Sequence, residues 1–448
     1  MIARPVAGAP RPYTFPDFVR HQLTNGLGVW LVPLPERELV SVHLLTDAGA
    51  ATEDESEAGV AALTAQLLVT GTGSLDAAAF AETTERLGIV VSSESSWDSA
   101  RAGFVALGQH LDAGLELLAE MVRAPRLDAG ELDRLKAERL NDVLQGRAEP
   151  GRLADESFLR EVYADAVPYG RLSAGRPETV EPLTVDQVRA FHASRYAPNV
   201  TDIIIAGAIE PDVALRTVEQ HLGEWAGSGP GHRSIQPTAR GGRRVVIVDR
   251  PGSVQSELRV GHVGIDRADP RYFPALVMSA LLGGVFGSRL NLRLREELGY
   301  TYGARCSFDP RRAAGPFIAS AAVETDVTAK AVGELLSQLE RMRDAPPTET
   351  ELAEVRDYLV GVFPLRFEST AGIAAALEPL AVYDLPDEWW HAYRSNLEAV
   401  TVSDVHAVAR ELVHPDEALI LIVGDASKVR DELAATELGP VEMITAED

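Results

Sequence analysis

The chain of 448 residues is long enough for two or more domains, and its 46% hydrophobic and 24% charged composition is that of a globular protein with ample core material. Lys and Arg number 42 against 67 Asp and Glu, and the resulting charge of −25 repels phosphate backbones and anionic lipid, so neither a nucleic acid nor a membrane is expected as a partner. One cysteine, Cys306, excludes an intrachain disulfide, and its strand-like neighbours point to a buried, inert thiol.

Residues 1–17 read as an N-terminal arm, interrupted by prolines and lacking the apolar core of a signal peptide. The longest apolar runs, IIIAGAI (203–209) and ALILIVG (418–424), have strand length, and a cytoplasmic location is the expectation. A first half follows over 18–226. It opens with two β-branched runs, LGVWLVPLP and LVSVHLLTDAG, the first preceded by an Asn25-Gly26 turn. A helix in AGVAALTAQLLVTGTGS (58–74) comes next, then a second strand pair and the amphipathic HLDAGLELLAEMVRAP, with apolar residues at 111, 115, 117, 118, 121 and 122. A polar helix, a long helix and the strand TDIIIAGAI complete the half. GSGPGHRSIQPTARGG (227–242) has no hydrophobic periodicity and reads as an exposed linker.

The second half, 243–448, repeats the order of the first. ERLGIVVSSES is echoed by EELGYTYGARC, a shift of 211 from Gly88 to Gly299, and LELLAEMVRAPRLDAGEL by GELLSQLERMRDAPPTETEL, a shift of 221 from Pro125 to Pro346. The expected class is therefore α+β: two homologous α/β-sandwich halves, each an antiparallel-rich sheet covered on one face by helices.

At these residues the chain resembles the pitrilysin or insulinase family of zinc peptidases, in its mitochondrial-processing-peptidase-like branch, over residues 18 to 430. Active members carry an inverted zinc motif in a frame like G-x-A-H-x-x-E-H-x-x-F-x-G-T. Here the frame survives as Gly59, Ala61, Gly71 and Thr72, but the chemical positions fall on Ala62, Ala65 and Gln66. Zinc needs imidazole, thiolate or carboxylate ligands, and hydrolysis needs a carboxylate base, so this helix holds neither metal nor base. Asp142, or its neighbour Asn141, lies about where the family places its third ligand. None of the ten histidines has a second one at helical spacing, and a convergence of His221, His232 and His262 is not expected. No cofactor is expected in this chain.

The stretch LLGGVFGSRLNLRLREELGYTYG (281–303) reads as a Gly-containing loop, an N-cap at Gly287 or Ser288, a helix with Leu290, Leu294 and Leu298 on one stripe, and a stop at Gly299. The resemblance implies that Arg293 and Tyr300, seven residues apart, occupy the family's catalytic pair, the Tyr as an oxyanion donor and the Arg as a fork for a substrate carbonyl. An ordinary reading stands beside it: Arg293 pairs with Glu296 or Glu297 along the helix, and Tyr300 packs on the sheet. Gly283, Gly284 and Gly287 resemble part of a substrate-handling Gly-rich loop, or only turn the chain. The expectation that follows is a non-metal subunit of a heterodimeric peptidase. A homologous partner would supply the zinc, and this chain would supply Arg293 and Tyr300 in trans to an extended peptide. The alternative is a catalytically inactive structural or binding scaffold, with a homodimer as one form it could take.

Overall fold

The computed structural model of the protein describes residue 8 and residues 11–445; residues 1–7, 9 and 10 of the expected arm and 446–448 lie outside the described residues. Two six-stranded sheets organise the chain. The first comprises β1 (Val19–Gln22), β2 (Gly28–Pro33), β3 (Leu39–Thr46), β4 (Val90–Ser95), β5 (Ala100–Leu107) and β6 (Thr201–Gly207), in the order β1-β2-β6-β3-β5-β4. The second comprises β7 (Arg244–Asp249), β8 (Gln255–Val263), β9 (Ala304–Phe308), β10 (Pro316–Glu324), β11 (Leu419–Gly424) and β12 (Val441–Ile444), in the order β12-β7-β11-β8-β10-β9. Five strands of each sheet correspond one to one, including one parallel pair in each, β2 with β6 and β7 with β11. The outermost strand breaks the symmetry. In the first sheet β1 pairs antiparallel with β2, whereas in the second β12 runs parallel to β7.

The sequence echoes mark equivalent places. Gly88 and Gly299 both take left-handed φ, 63° and 65°, each just after a helical segment and before the strand that follows. That conformation strains any residue with a side chain, so glycine stops both segments. Pro125 and Pro346 each follow a long amphipathic helix, Leu111–Arg123 and Thr328–Asp344. Late in each half a helix begins at a threonine capping box, Thr184 with Gln187 and Thr401 with Asp404.

β11 and the 203–207 run of β6 are continuously apolar because both faces of each sheet are covered. Ile203 and Ile205 of β6 pack among first-half helices, whereas Ile204 and Ala206 join a core otherwise built largely from the second half. Each half lends the other a helix. Pro150–Val162 lies on β8 and β11, with Leu153, Phe158 and Val162 against Val246, Leu421 and Val423. Thr370–Tyr383, which starts 220 residues later, lies on β3 and β6. The expectation of helices on one face of each sheet thus describes half the arrangement. The other face is closed by exchange.

Polar contacts pin the exchange. The Ser41 and Thr370 hydroxyls are 2.8 Å apart and buried, and Glu378 Oε1 lies 2.6 Å from His43 Nδ1 and accepts from Arg101 Nη1 at 3.0 Å. Buried Asp98 accepts from the Tyr169 hydroxyl at 2.6 Å, from the Tyr383 hydroxyl at 3.3 Å and from the Arg312 amide at 3.0 Å. The segment 227–242 forms no helix or strand, yet it is strapped to the first half. Ala164 N–H donates to Thr238 O at 2.8 Å, and Arg240 N–H donates to Val162 O at 3.2 Å.

Candidate functional site

The helix Val60–Leu67 is seated by the frame residues that carried the resemblance. Gly59 caps it at φ 104°, and a Cβ there would meet Val180 Cγ2 at 2.9 Å and Ala174 O at 3.0 Å. The buried carboxylate of Glu53 accepts from Gly59 N–H at 3.1 Å and Ala61 N–H at 2.7 Å, satisfying first-turn donors that would otherwise be orphaned. Burial pushes the Glu53 carboxyl up to about 7, against those two hydrogen bonds. Gly71 leaves the far end at φ 136°, and Thr72 Oγ1 donates to Glu120 at 2.6 Å. The frame thus persists for structural reasons that do not depend on the three chemical positions. Of these, Ala65 is buried, Ala62 half-buried and Gln66 exposed.

Asp142, expected with Asn141 near the family's third-ligand position, is held in an arginine clamp. Asp142 Oδ1 and Oδ2 accept from Arg152 Nη1 at 2.7 Å and Nη2 at 2.8 Å, and Arg139 also bonds Oδ2. Arg152 above all holds the Asp142 carboxyl below its ordinary range. Arg139 is fixed in turn by Ala174 O at 2.9 Å and Gly175 O at 3.0 Å. Two alanines, a neutral amide and a carboxylate already held by two cations do not fit zinc. Among the described residues no group of three or more His, Cys, Asp or Glu is placed to hold a metal ion. The three histidines considered above are dispersed. His221 lies 2.9 Å from Asp112, and His232 4.0 Å from Asp47. His262 is buried between Phe317 and His414, accepts from His414 N–H, and burial lowers its pKa to about 4.

The second-half junction is built differently. Its helix has wide turns over Asn291–Glu297, with Leu298 N–H reaching back five residues to Arg293 O at 3.1 Å. Leu290 and Leu294 are fully buried as their stripe predicts, and Leu298 is half-buried. Asn291 ties the junction together. Its amide nitrogen donates to Val285 O at 3.2 Å and Ala304 O at 3.0 Å, and its amide oxygen accepts from Ala304 N–H at 2.9 Å. Sequence reading passed over this residue, although a polar side chain beside Leu290 and Leu294 is a visible signal.

Arg293 and Tyr300 both sit at this junction, Tyr300 N–H donating to Leu294 O at 2.8 Å. Arg293 is a third exposed, and its whole fork is engaged: Nε and Nη2 donate to Glu334 at 2.8 and 3.0 Å, and Nη1 to Glu297 at 2.8 Å. The Tyr300 ring is half-buried against the core, and among the described residues no hydrogen bond joins either residue to the helix Val60–Leu67. Gly283 is a packing glycine: a Cβ there would lie 2.5 Å from Cys306 N on β9. Gly284 has moderate room and Gly287 is open. Cys306 is buried, and burial raises its thiol pKa. Around the junction Phe286, Leu292 and Tyr302 are exposed, Tyr302 by 91%, with the Arg295 guanidinium 4.4 Å from the Phe286 ring centre.

Comparison with known proteins places these features. Residues 29–173 match the family model for insulinase (peptidase family M16), and residues 182–359 match the model for the peptidase M16 inactive domain. The non-peptidase homolog YmxG of Helicobacter pylori is 21% identical over 86% of this chain and 89% of its own length. An uncharacterized zinc protease of Mycobacterium bovis is 26% identical over 88% and 90%. A solved peptidase M16 inactive domain from Pseudomonas fluorescens covers 91% of this chain and 98% of its own, with a TM-score of 0.85 and 27% identity. A Complex III2 chain from Candida albicans shares the fold at 15% identity, with a TM-score of 0.77 over 93% and 99%.

Proposed function

The chain belongs to peptidase family M16, and from that premise we propose that it is the non-metal subunit of a two-chain peptidase, paired with a homologous chain that carries the zinc. The observation that carries this reading is the unequal treatment of the two site elements. The metal end has lost its donors at Ala62, Ala65 and Gln66, and Asp142 is clamped by Arg152. The junction end is kept in order by Asn291, fixes Arg293 through Glu334, and leaves Phe286, Leu292 and Tyr302 exposed beside it. An exposed apolar rim around an ordered polar pair suits contact with a partner or an extended peptide. In such a complex Tyr300 would donate to the developing oxyanion, and Arg293 would hold a substrate carbonyl or orient the Tyr. The zinc and the water it activates would lie wholly in the partner.

The test is co-expression with a homologous subunit bearing intact zinc ligands, followed by cleavage of an unfolded peptide. The mixture should turn over substrate where neither chain alone does. Equal turnover by the zinc-bearing chain alone would sink the proposal. One observation favours a second reading, an inactive scaffold that pairs with its own kind: each guanidinium nitrogen of Arg293 already donates to a carboxylate of this chain. Under that reading the cleavage assay stays silent, and the isolated chain sediments as a dimer.

A further inference from the structure

The first half contains an arginine-lined cleft that neither site element uses. It has a volume of about 370 Å³, bordered by the end of the helix Pro150–Val162, the loop 170–176 and the linker. Past Leu172, Arg176 and Thr179 it continues into a second hollow of about 420 Å³. In a protein of charge −25 this wall gathers Arg160, Arg171, Arg176 and Arg240 beside Glu55, Glu161 and Asp165. Two of them are accounted for: Arg240 bonds Glu161 at 3.0 Å and also Asp165, and Arg160 lies 3.5 Å from Glu161.

Arg171 and Arg176 differ. Neither guanidinium has a hydrogen bond or ion pair among the described residues, although both side chains are partly buried. Glu53 and Glu55 act on Arg171 electrostatically, but the Glu53 oxygens are spent on the backbone of the neighbouring helix, and Glu55 is exposed. Burial disfavours the Arg171 charge. Both arginines are partly buried side chains whose nitrogens still reach solvent and bond no carboxylate of the chain, so their forks are open to an anion in the cleft.

The loop that presents both arginines is rigid. Arg139 holds Ala174 O and Gly175 O, Gly175 N–H donates to Leu172 O at 3.0 Å, and Arg176 N–H donates to Thr179 Oγ1 at 3.1 Å. Gly175 sits at φ 73°, where a Cβ would strike Ala58 O at 2.3 Å. The backbone that carries the two arginines is therefore preorganised, and only their side chains remain to be ordered when a ligand arrives.

We propose that this cleft is an oxyanion-binding site in which Arg171 and Arg176 together grip a carboxylate or phosphate group. The forked donors of arginine match both chemistries. Such a site needs no zinc-bearing partner, so its fate is separate from that of the two-chain peptidase.

The test uses the full chain alone, titrated calorimetrically at low ionic strength with three probes: N-acetyl-trialanine with a free C-terminus, the same peptide as its amide, and inorganic phosphate. At least one anion should bind, and the amide should bind at least 10-fold more weakly. Preference between the peptide acid and phosphate identifies the source. R171Q and R176Q should each weaken binding about 10-fold, whereas R216Q, an exposed arginine on the helix Pro211–Leu222, should not. Equal affinity in the R171Q/R176Q double variant, or no binding of either anion, overturns the proposal. Should the variants misfold, phenylglyoxal labelling of the wild-type chain decides instead. The bound anion should protect Arg171 and Arg176 from modification, and unchanged labelling refutes the site.

Discussion

Arg152 grips Asp142 through both outer nitrogens, 2.7 and 2.8 Å from the two carboxylate oxygens. The contact crosses from the helix Ala129–Ala148 to the helix Pro150–Val162, so the carboxylate expected near the family's third-ligand position is already ion-paired. Restoring the two histidines alone should therefore fail. The A62H/Q66H variant is expected to hold zinc weakly, because its third ligand remains ion-paired. Adding R152M should raise zinc affinity at least 10-fold, by removing the cation that holds both carboxylate oxygens and leaving only Arg139 on Oδ2. Competition with a chromogenic chelator measures both. Equal affinity with and without R152M would show that the clamp does not matter.

In the complex with a zinc-bearing subunit, Tyr300→Phe should lower turnover roughly 10²-fold, the usual effect of losing one oxyanion donor. Assembly should be intact, as size-exclusion chromatography can verify. Arg293→Lys keeps the charge but loses the fork, and should also lower turnover. The Arg293 ion pairs lie near the surface, so their loss should leave the unfolding midpoint almost unchanged. A full rate in Tyr300→Phe would return the ring to a packing role.

How much of this was legible in the sequence depends on whether an interaction is local. Gly88 and Gly299 announced equivalent helix stops because a left-handed residue leaves a glycine signature at one position. The empty metal positions were legible for the same reason: ligand chemistry is written residue by residue. The helix Pro150–Val162 and the helix Thr370–Tyr383 look like ordinary helices, and nothing local states that each covers the other half's sheet. The Arg152 clamp was invisible because it joins side chains across a proline-started helix break. The linker looked exposed by composition and most of it is, but composition did not show that backbone groups of Gly229, Gly231, Thr238 and Arg240 are tied to the first half.

Glu53 gives the helix Val60–Leu67 a pH dependence. Its carboxyl ordinarily titrates near 4.5 and is pushed up to about 7 by burial, so between these values the folded chain keeps a proton that the unfolded chain has released. The stability linked to this group is complete below about 4.5 and is lost as pH rises through 7, by on the order of 3 kcal/mol. His262, lowered to about 4, acts with the opposite sign: its contribution is complete above 6.5 and is lost as pH falls through 4. The comparison must therefore be Glu53→Gln against wild type. Urea melts across pH 4.5 to 8 should show the wild type losing stability relative to E53Q as pH rises. A constant difference would mean that Glu53 is ionised throughout.

Gly283→Ala tests whether that glycine serves packing or substrate. The added methyl would sit 2.5 Å from Cys306 N, so β9 or the preceding turn must move, at a cost of about 1–3 kcal/mol. Gly287→Ala meets nothing within 4 Å and should change stability by less than about 0.5 kcal/mol. If thermal denaturation found the two equal, the tight contact with β9 would not be real. A fall in cleavage from G287A in the two-chain complex would instead give the loop a substrate role.

The exchanged helices make the halves one cooperative unit, and Leu377 is the place to test it. This residue is fully buried in the helix Thr370–Tyr383, belongs to the second half in sequence, and shares a core with Ile204 and Ala206 of the first sheet. Leu377→Ala should cost about 2–5 kcal/mol through lost burial and a residual cavity. Were the halves independent, hydrogen exchange would quicken at the sheet that loses its cover, with β6 responding and β11 unchanged. The reciprocal packing requires otherwise. Opening the first sheet frees the helix Pro150–Val162 from its own chain neighbours, and with it the cover of β8 and β11. The slowest amides of β6 and β11 should therefore accelerate by the same factor, as members of one unfolding unit do.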